Sequence, residues 1–244
     1  ATLELAVAAG FHHIETARHY GSSERQLGWL FPDVPDPQRI LQTKVPPQAD
    51  PAAFEAELAL SFERLGLGNG SGRVDLLAIH GLNLEEHLSW ALNGPGADLL
   101  QWAQAEGLVG QVGFSSHGSP GLIEAALGSG NFQFCSLHLH LFDQTRMPIA
   151  RQALAEGIGV MAISPADKGG RLYDPPAELI ADCQPFEPLE LAYRFLLDAG
   201  ISTLTLGAAQ PGDLAWARRL APPSSEPSQP NPAKAAVAAA VAAA

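Results

Sequence analysis

The chain has 244 residues, 46% hydrophobic and 16% charged, which suits a packed core and excludes a disordered segment. Lys and Arg total 14 against 26 Asp and Glu, a formal charge of −12, which argues against a nucleic-acid binder that needs a basic face. No apolar run approaches the roughly 18 residues of a membrane span, no signal-peptide pattern opens the chain, and the two cysteines, Cys135 and Cys183, are too few for a disulfide framework; a cytoplasmic protein is expected.

Apolar runs alternate with helical patterns. Leu3 to Gly10 reads as a short helix, followed by the apolar stretch Phe11 to Ile14. Ser23 is placed to cap a helix that runs to Leu30. Ile40 to Val45 reads as a strand, and Asp50-Pro51 opens a helix with Pro at its first position. Val74 to Ile79 is the next strand, followed by a helical stretch from Leu84 to Glu106 broken at Asn93 to Gly96. Further strands are expected at Gln111–Ser115, Phe134–Leu139, Ile158–Ser164 and Ser202–Leu206. The helices between and after them are Pro120–Leu127, Met147–Glu156, Leu189–Ala199 and Gly212–Leu220. Ala221 to Ala244 reads as a Pro/Ser-rich linker and an Ala-rich tail, outside a domain spanning 1–220.

Near-continuous apolar strands alternating with helices predict a parallel sheet covered on both faces. An open doubly wound sheet and a (β/α)8 TIM-type barrel both fit that order. No strand is followed by a Gly-rich phosphate signature of the open-sheet kind. Length and strand count favour the barrel, with one strand short.

In a barrel, chemistry gathers at the carboxyl ends of the strands. Glu15, Lys44 and His80 fall at three consecutive strand ends, and Tyr20 lies on the loop after Glu15. A phenol titrates near 10, too high for a good acid at neutral pH. An adjacent ammonium lowers that value, and a carboxylate holds the ammonium. The set reads as a device for protonating an oxygen that gains charge, with the imidazole orienting a carbonyl.

The same residues carry a family resemblance. Glu15-Thr16-Ala17, Tyr20-Gly21 and Ser23-Glu24 resemble the opening motif of the aldo-keto reductase superfamily. Gln42 to Val45 resembles its lysine strand, and Arg64 to Leu67 with Val74 to His80 its histidine segment. Glu106 to Ser115, Ile163 to Pro165 and Thr205 to Ala208 match further blocks in order. The resemblance implies a barrel that binds NADPH or NADH and reduces aldehydes or ketones by hydride transfer. Tyr20 would be the acid, Lys44 its modulator, His80 the orienting group, and Glu15 stands where most members have Asp.

On the cofactor side, the resemblance places Ser115 and Ser116 at the nicotinamide amide, where the second residue is Asn in most members, and Ser136 near it. Ser164 and Lys168 match the segment that covers the pyrophosphate, and Gly207, Ala208 and Gln210 the adenosine-phosphate loop. Asp213 stands where an Arg usually meets the 2′-phosphate, with Arg218 and Arg219 as substitutes one turn later. The family's N-terminal hairpin and first strand have no counterpart before Leu3. The motifs are most similar to those of a bacterial subgroup with a C-terminal iron–sulfur extension; no Cys follows Cys183, so neither a cluster nor an iron–sulfur partner domain is expected from this chain. A second reading, a nucleotide-binding or complex-docking barrel without turnover, is motivated by Glu15, Ser116 and the absent first strand.

His138 and His140 share one strand face, an arrangement known from metal pairs. With no third ligand evident nearby, they read as buried or loop-end histidines, and no metal is expected. His117 stands at the nicotinamide edge, where a substrate-facing role and a solvated loop are both open. The four tryptophans and Cys135 read as packing residues.

Overall fold

The computed structural model describes residues 2–68, 72–208 and 210–220; the expected tail, 221–244, lies outside the described residues. Helix α1 (Thr2–Ala8) precedes β1 (His13–Glu15), α2 (Ser23–Leu30), β2 (Ile40–Val45), α3 (Pro51–Arg64) and β3 (Val74–Ile79). Then follow α4 (Glu85–Asn93), α5 (Pro95–Ala105), β4 (Val109–Ser116), α6 (Pro120–Gly128) and β5 (Phe134–His138). The remainder is α7 (Met147–Ala155), β6 (Gly159–Ile163), α8 (Ala177–Asp182), α9 (Pro188–Asp198) and β7 (Thr203–Leu204). The strands are ordered β1 to β7 in one sheet, each beside its sequence neighbour. That ordering belongs to a (β/α)8-type barrel with one strand fewer among the described residues.

By contact density the chain divides into two units, one of them Leu3–Ser136 and the other essentially Leu137 onward. In the first, β1 to β4 pair in parallel and in register: Glu15 with Gln42, Lys44 with Ala78, and Ile79 with Phe114. Their apolar side chains are buried with those of the covering helices, including Val45, Phe54, Leu77, Ile79, Phe114 and Ile123. Helices begin where the sequence supplies local signals. Asp50 accepts a hydrogen bond from the Ala52 amide ahead of Pro51, and Ser119 accepts from Leu122 ahead of Pro120. Two glycines permit close backbone approach. A Cβ at Gly28 of α2 would stand 2.1 Å from the Arg64 carbonyl oxygen, and one at Gly113 of β4 would stand 2.3 Å from that of Phe134.

In the second unit, β6 and β7 pair in parallel. Its core gathers Leu141, Ala166, Leu172, Cys183, Leu191, Ala192 and Tyr193. Strand β7 is two residues long because side chains take over the ladder: the Ser202 hydroxyl accepts from the Val160 amide, and the Thr205 hydroxyl and amide both donate to Ala162.

Several sequence expectations are corrected. Ser22, not Ser23, occupies the cap position of α2; the Ser23 hydroxyl instead accepts from Thr16. The expected helix at Gly212–Leu220 is two short 3-10 turns, Pro211–Leu214 and Trp216–Leu220. Pro211 and Gly212 are poor helix formers, and Asp213 folds back onto the Gln210 amide. Helix α8 and the 3-10 segment Lys168–Tyr173 carry no apolar period and have no counterpart among the expected elements. Trp90 packs edge-on against Phe54 and Trp216 against Tyr193, but Trp29 and Trp102 are exposed, at 69% and 42%, and are not core packing residues.

Candidate active site

The parallel register brings the strand ends of β1, β2 and β3 side by side. Past the last paired residues the ladder continues, with Arg18 donating to the Lys44 carbonyl and His80 to that of Val45. Lys44 and His80 therefore emerge at one end of the sheet, and the chain after Glu15 crosses above them.

Lys44 is 2% exposed and forms an ion pair with Glu15. Its Nζ lies over the Tyr20 ring, 4.5 Å from the centroid. His80 meets the same ring edge-on, with centroids 5.7 Å apart. The four residues expected to act together are thus brought into one cluster. Tyr20 is 46% exposed, so its phenol can be reached from solvent.

The electrostatics differ from the expected tuning. Burial pushes the Lys44 ammonium down to about 7, while the Glu15 carboxylate in contact with it works in the opposite direction. Burial raises the Tyr20 phenol above its ordinary value, so at rest burial outweighs any lowering by Lys44. His80 is lowered to about 4, first by burial and then by Lys44, His19 and His117. At neutral pH the cluster holds a neutral phenol and a neutral imidazole.

A second layer of residues fixes this geometry. Glu24, 2% exposed, accepts a hydrogen bond from Thr43 at 2.8 Å and faces Arg18 at 3.5 Å. Arg18 also pairs with Glu57 at 2.7 Å. The loop that carries Tyr20 is thereby tied to the strand residue next to Lys44. Glu24 lies within the motif Ser23-Glu24, and its burial singles it out there.

Ser115, Ser116 and Ser136 are buried. The Ser115 hydroxyl accepts from the Gly81 amide, and the Ser116 hydroxyl donates to the Leu82 carbonyl while accepting from Gly118. These two hydroxyls brace the turn after His80. His117 is exposed, and its amide donates to Asn83.

In the second unit, Ser164 sits at a positive φ of 56° after β6, and Asp167, Gly169 and Gly170 share that left-handed region. Lys168 is exposed, and nothing stands within 4 Å of a Cβ placed on Gly169. The Tyr173 hydroxyl donates to the Gly207 carbonyl at 3.1 Å, joining this loop to the segment of Gly207 and Ala208. Gln210 is held by Asp213, through its amide at 3.0 Å and its side chain at 3.4 Å. Arg219 is paired with Glu190 at 3.3 Å.

A family model for the Aldo/keto reductase family matches residues 1–175. The chain belongs to the aldo/keto reductase family. No curated protein matches it, but solved structures share the fold. An aldo-keto reductase from Bacillus halodurans, in its holo form, has a TM-score of 0.79 at 16% identity over 98% of this chain and 85% of that one. The glycerol dehydrogenase of Gluconobacter oxydans has a TM-score of 0.76 at 20% identity, covering 99% and 84%. An aldo/keto reductase from Klebsiella pneumoniae, in complex with NADP and acetate, gives 0.70 at 18%, covering 89% and 77%. Among the described residues no helix is long and apolar enough to cross a membrane.

Proposed function

We propose that this aldo/keto reductase reduces aldehydes or ketones with NADPH or NADH, using Tyr20 as the proton donor. The observation that carries the reading is the convergence of Glu15, Tyr20, Lys44 and His80 at one end of the sheet. A bound reduced nicotinamide supplies the hydride. The protein supplies the proton: the raised Tyr20 phenol stays protonated until the carbonyl oxygen gains charge. The Lys44 ammonium over its ring then stabilises the phenolate as it forms, which is where a fixed charge accelerates reaction. Neutral His80 donates from a ring nitrogen and orients the substrate oxygen. Glu15 positions Lys44.

The residues on the dinucleotide side suit their proposed roles unevenly. The exposed Lys168 and the uncrowded backbone at Gly169 fit a phosphate, and Ser164, Gly207, Ala208 and Gln210 would line the same path. Ser115 and Ser116 would act through the turn they brace, with Ser136 beside the nicotinamide. Asp213 offers no cation to a 2′-phosphate and Arg219 is paired with Glu190, while the side chain of Arg218 lies outside the described residues, so both nucleotides are candidates. The Ser116 bonding also suits a nucleotide-binding barrel without turnover. The acidic composition and two buried free cysteines fit a cytoplasmic setting.

The deciding experiment is nucleotide oxidation by the purified protein over a panel of aldehydes and ketones. Consumption of NADPH or NADH that depends on the carbonyl is expected. Tight nucleotide binding with no consumption for any carbonyl would replace the reductase reading with the non-catalytic one.

A further inference from the structure

Outside the catalytic cluster, the turn after β5 holds a group of side chains that carbonyl reduction does not use. His138 and His140 are both more than nine-tenths buried, and their rings meet edge-on with centroids 5.0 Å apart. The chain then turns back: His140 and Asp143 form an isolated antiparallel bridge, with the Asp143 amide donating to the His140 carbonyl at 3.1 Å. That turn supplies the third group missing from the sequence reading. One ligand atom from each of His138, His140 and Asp143 lies within 4.8 Å of the others.

We propose that His138, His140 and Asp143 bind a divalent transition-metal ion of the zinc class. Two imidazoles and one carboxylate are the donor set of open zinc and related transition-metal sites, with remaining positions left to water. The set contains no thiolate, and it is too rich in nitrogen for magnesium or calcium, which prefer oxygen ligands.

The bonding of the three groups points the same way. Buried imidazole nitrogens are normally hydrogen-bonded. His140 Nδ1 is buried with no hydrogen-bond partner among the described residues, and its Nε2 stands 3.7 Å from Asp167, beyond hydrogen-bond range. An ion would satisfy one nitrogen, while the Asp167 carboxylate would orient the ring, as outer carboxylates do at metal-bound histidines. Asp143 uses one oxygen to accept from the Thr145 hydroxyl at 2.6 Å. Its other oxygen faces His138 Nε2 at 4.0 Å. Ligand atoms around zinc lie about 2.1 Å from the ion, so the cluster must tighten by roughly an ångström. Asp143, with its side chain 34% exposed, is the member of the cluster that solvent reaches.

The test uses the full chain after dialysis against a chelator, titrated calorimetrically with Zn2+ and followed by visible absorption with Co2+. One ion per chain is expected, with a tetrahedral or five-coordinate Co2+ spectrum. His140→Ala and Asp143→Asn should each weaken Zn2+ binding by about tenfold or more, comparable to or greater than the loss of an outer ligand. His12→Ala, which removes the separate His12–Asp36 pair, should leave it unchanged. Zn2+ should raise the melting temperature of the parent chain and not that of Asp143→Asn, which preserves side-chain shape if His140→Ala folds poorly. Absence of stoichiometric binding, or binding that survives in Asp143→Asn, would overturn the site.

Discussion

The sharpest consequence of the buried Lys44–Glu15 pair is a pH dependence that an ordinary lysine would not give. Lys44 is lowered from 10.5 to about 7 by burial. A group titrating there is about nine-tenths charged one unit below and about one-tenth charged one unit above. If the ammonium stabilises the Tyr20 phenolate, kcat/KM for carbonyl reduction should fall about tenfold between pH 6 and pH 8. At its ordinary value Lys44 would stay charged across that range, and the profile would be flat. Stability should move the opposite way. Because the folded-state value lies below the unfolded one, the unfolded chain binds the extra proton between about 7 and 10.5, and unfolding free energy rises with pH over that window. The assay is steady-state reduction with saturating nucleotide, paired with urea unfolding at each pH. Lys44→Met should lower the rate, flatten the activity profile and remove the rise in stability. A parent profile that is flat through pH 7, or one that Lys44→Met leaves in place, would refute the reasoning.

Other expectations follow from the packing around the cluster. Gly28→Ala drives a methyl into the Arg64 carbonyl, a backbone atom that cannot step aside, and should cost about 1–3 kcal/mol in urea unfolding. Glu24→Gln leaves Arg18 with Glu57 as its remaining carboxylate partner and should cost about 1–2 kcal/mol, with a loss of turnover as the Tyr20 loop loosens; unchanged stability would show that the Arg18–Glu24–Thr43 tie is unimportant. The His80 ring should titrate near 4 by NMR, so an inflection at its ordinary value of 6.5 would mean that it is not buried against the Tyr20 ring near Lys44.

Much of this was legible because both fold and catalytic cluster rest on local, ordered signals. Apolar runs of five or six residues such as Val74–Ile79 mark strands covered on both faces, and they came out within a residue or two. Glu15, Lys44 and His80 could be grouped because strand ends in a parallel sheet share one edge. What stayed hidden depends on three-dimensional neighbours. The direction of the Tyr20 shift is decided by burial, which no spacing displays. The motif that contains Glu24 does not show its burial, yet it is 2% exposed and tied to Arg18 and Thr43. Asp143 lies three residues beyond His140, where only the turn geometry shows that it folds back toward the histidines. The segment 168–182 is Gly-, Pro- and Asp-rich, so its short helical pieces carry no period to read.

The whole account stands on one hydroxyl. Tyr20→Phe removes the phenolic oxygen and keeps the ring that Lys44 and His80 pack against, so nucleotide affinity, measured by fluorescence quenching, should be unchanged. Carbonyl-dependent nucleotide oxidation should drop by about 100-fold or more, the scale of a lost general acid. Turnover equal to that of the parent chain would contradict it.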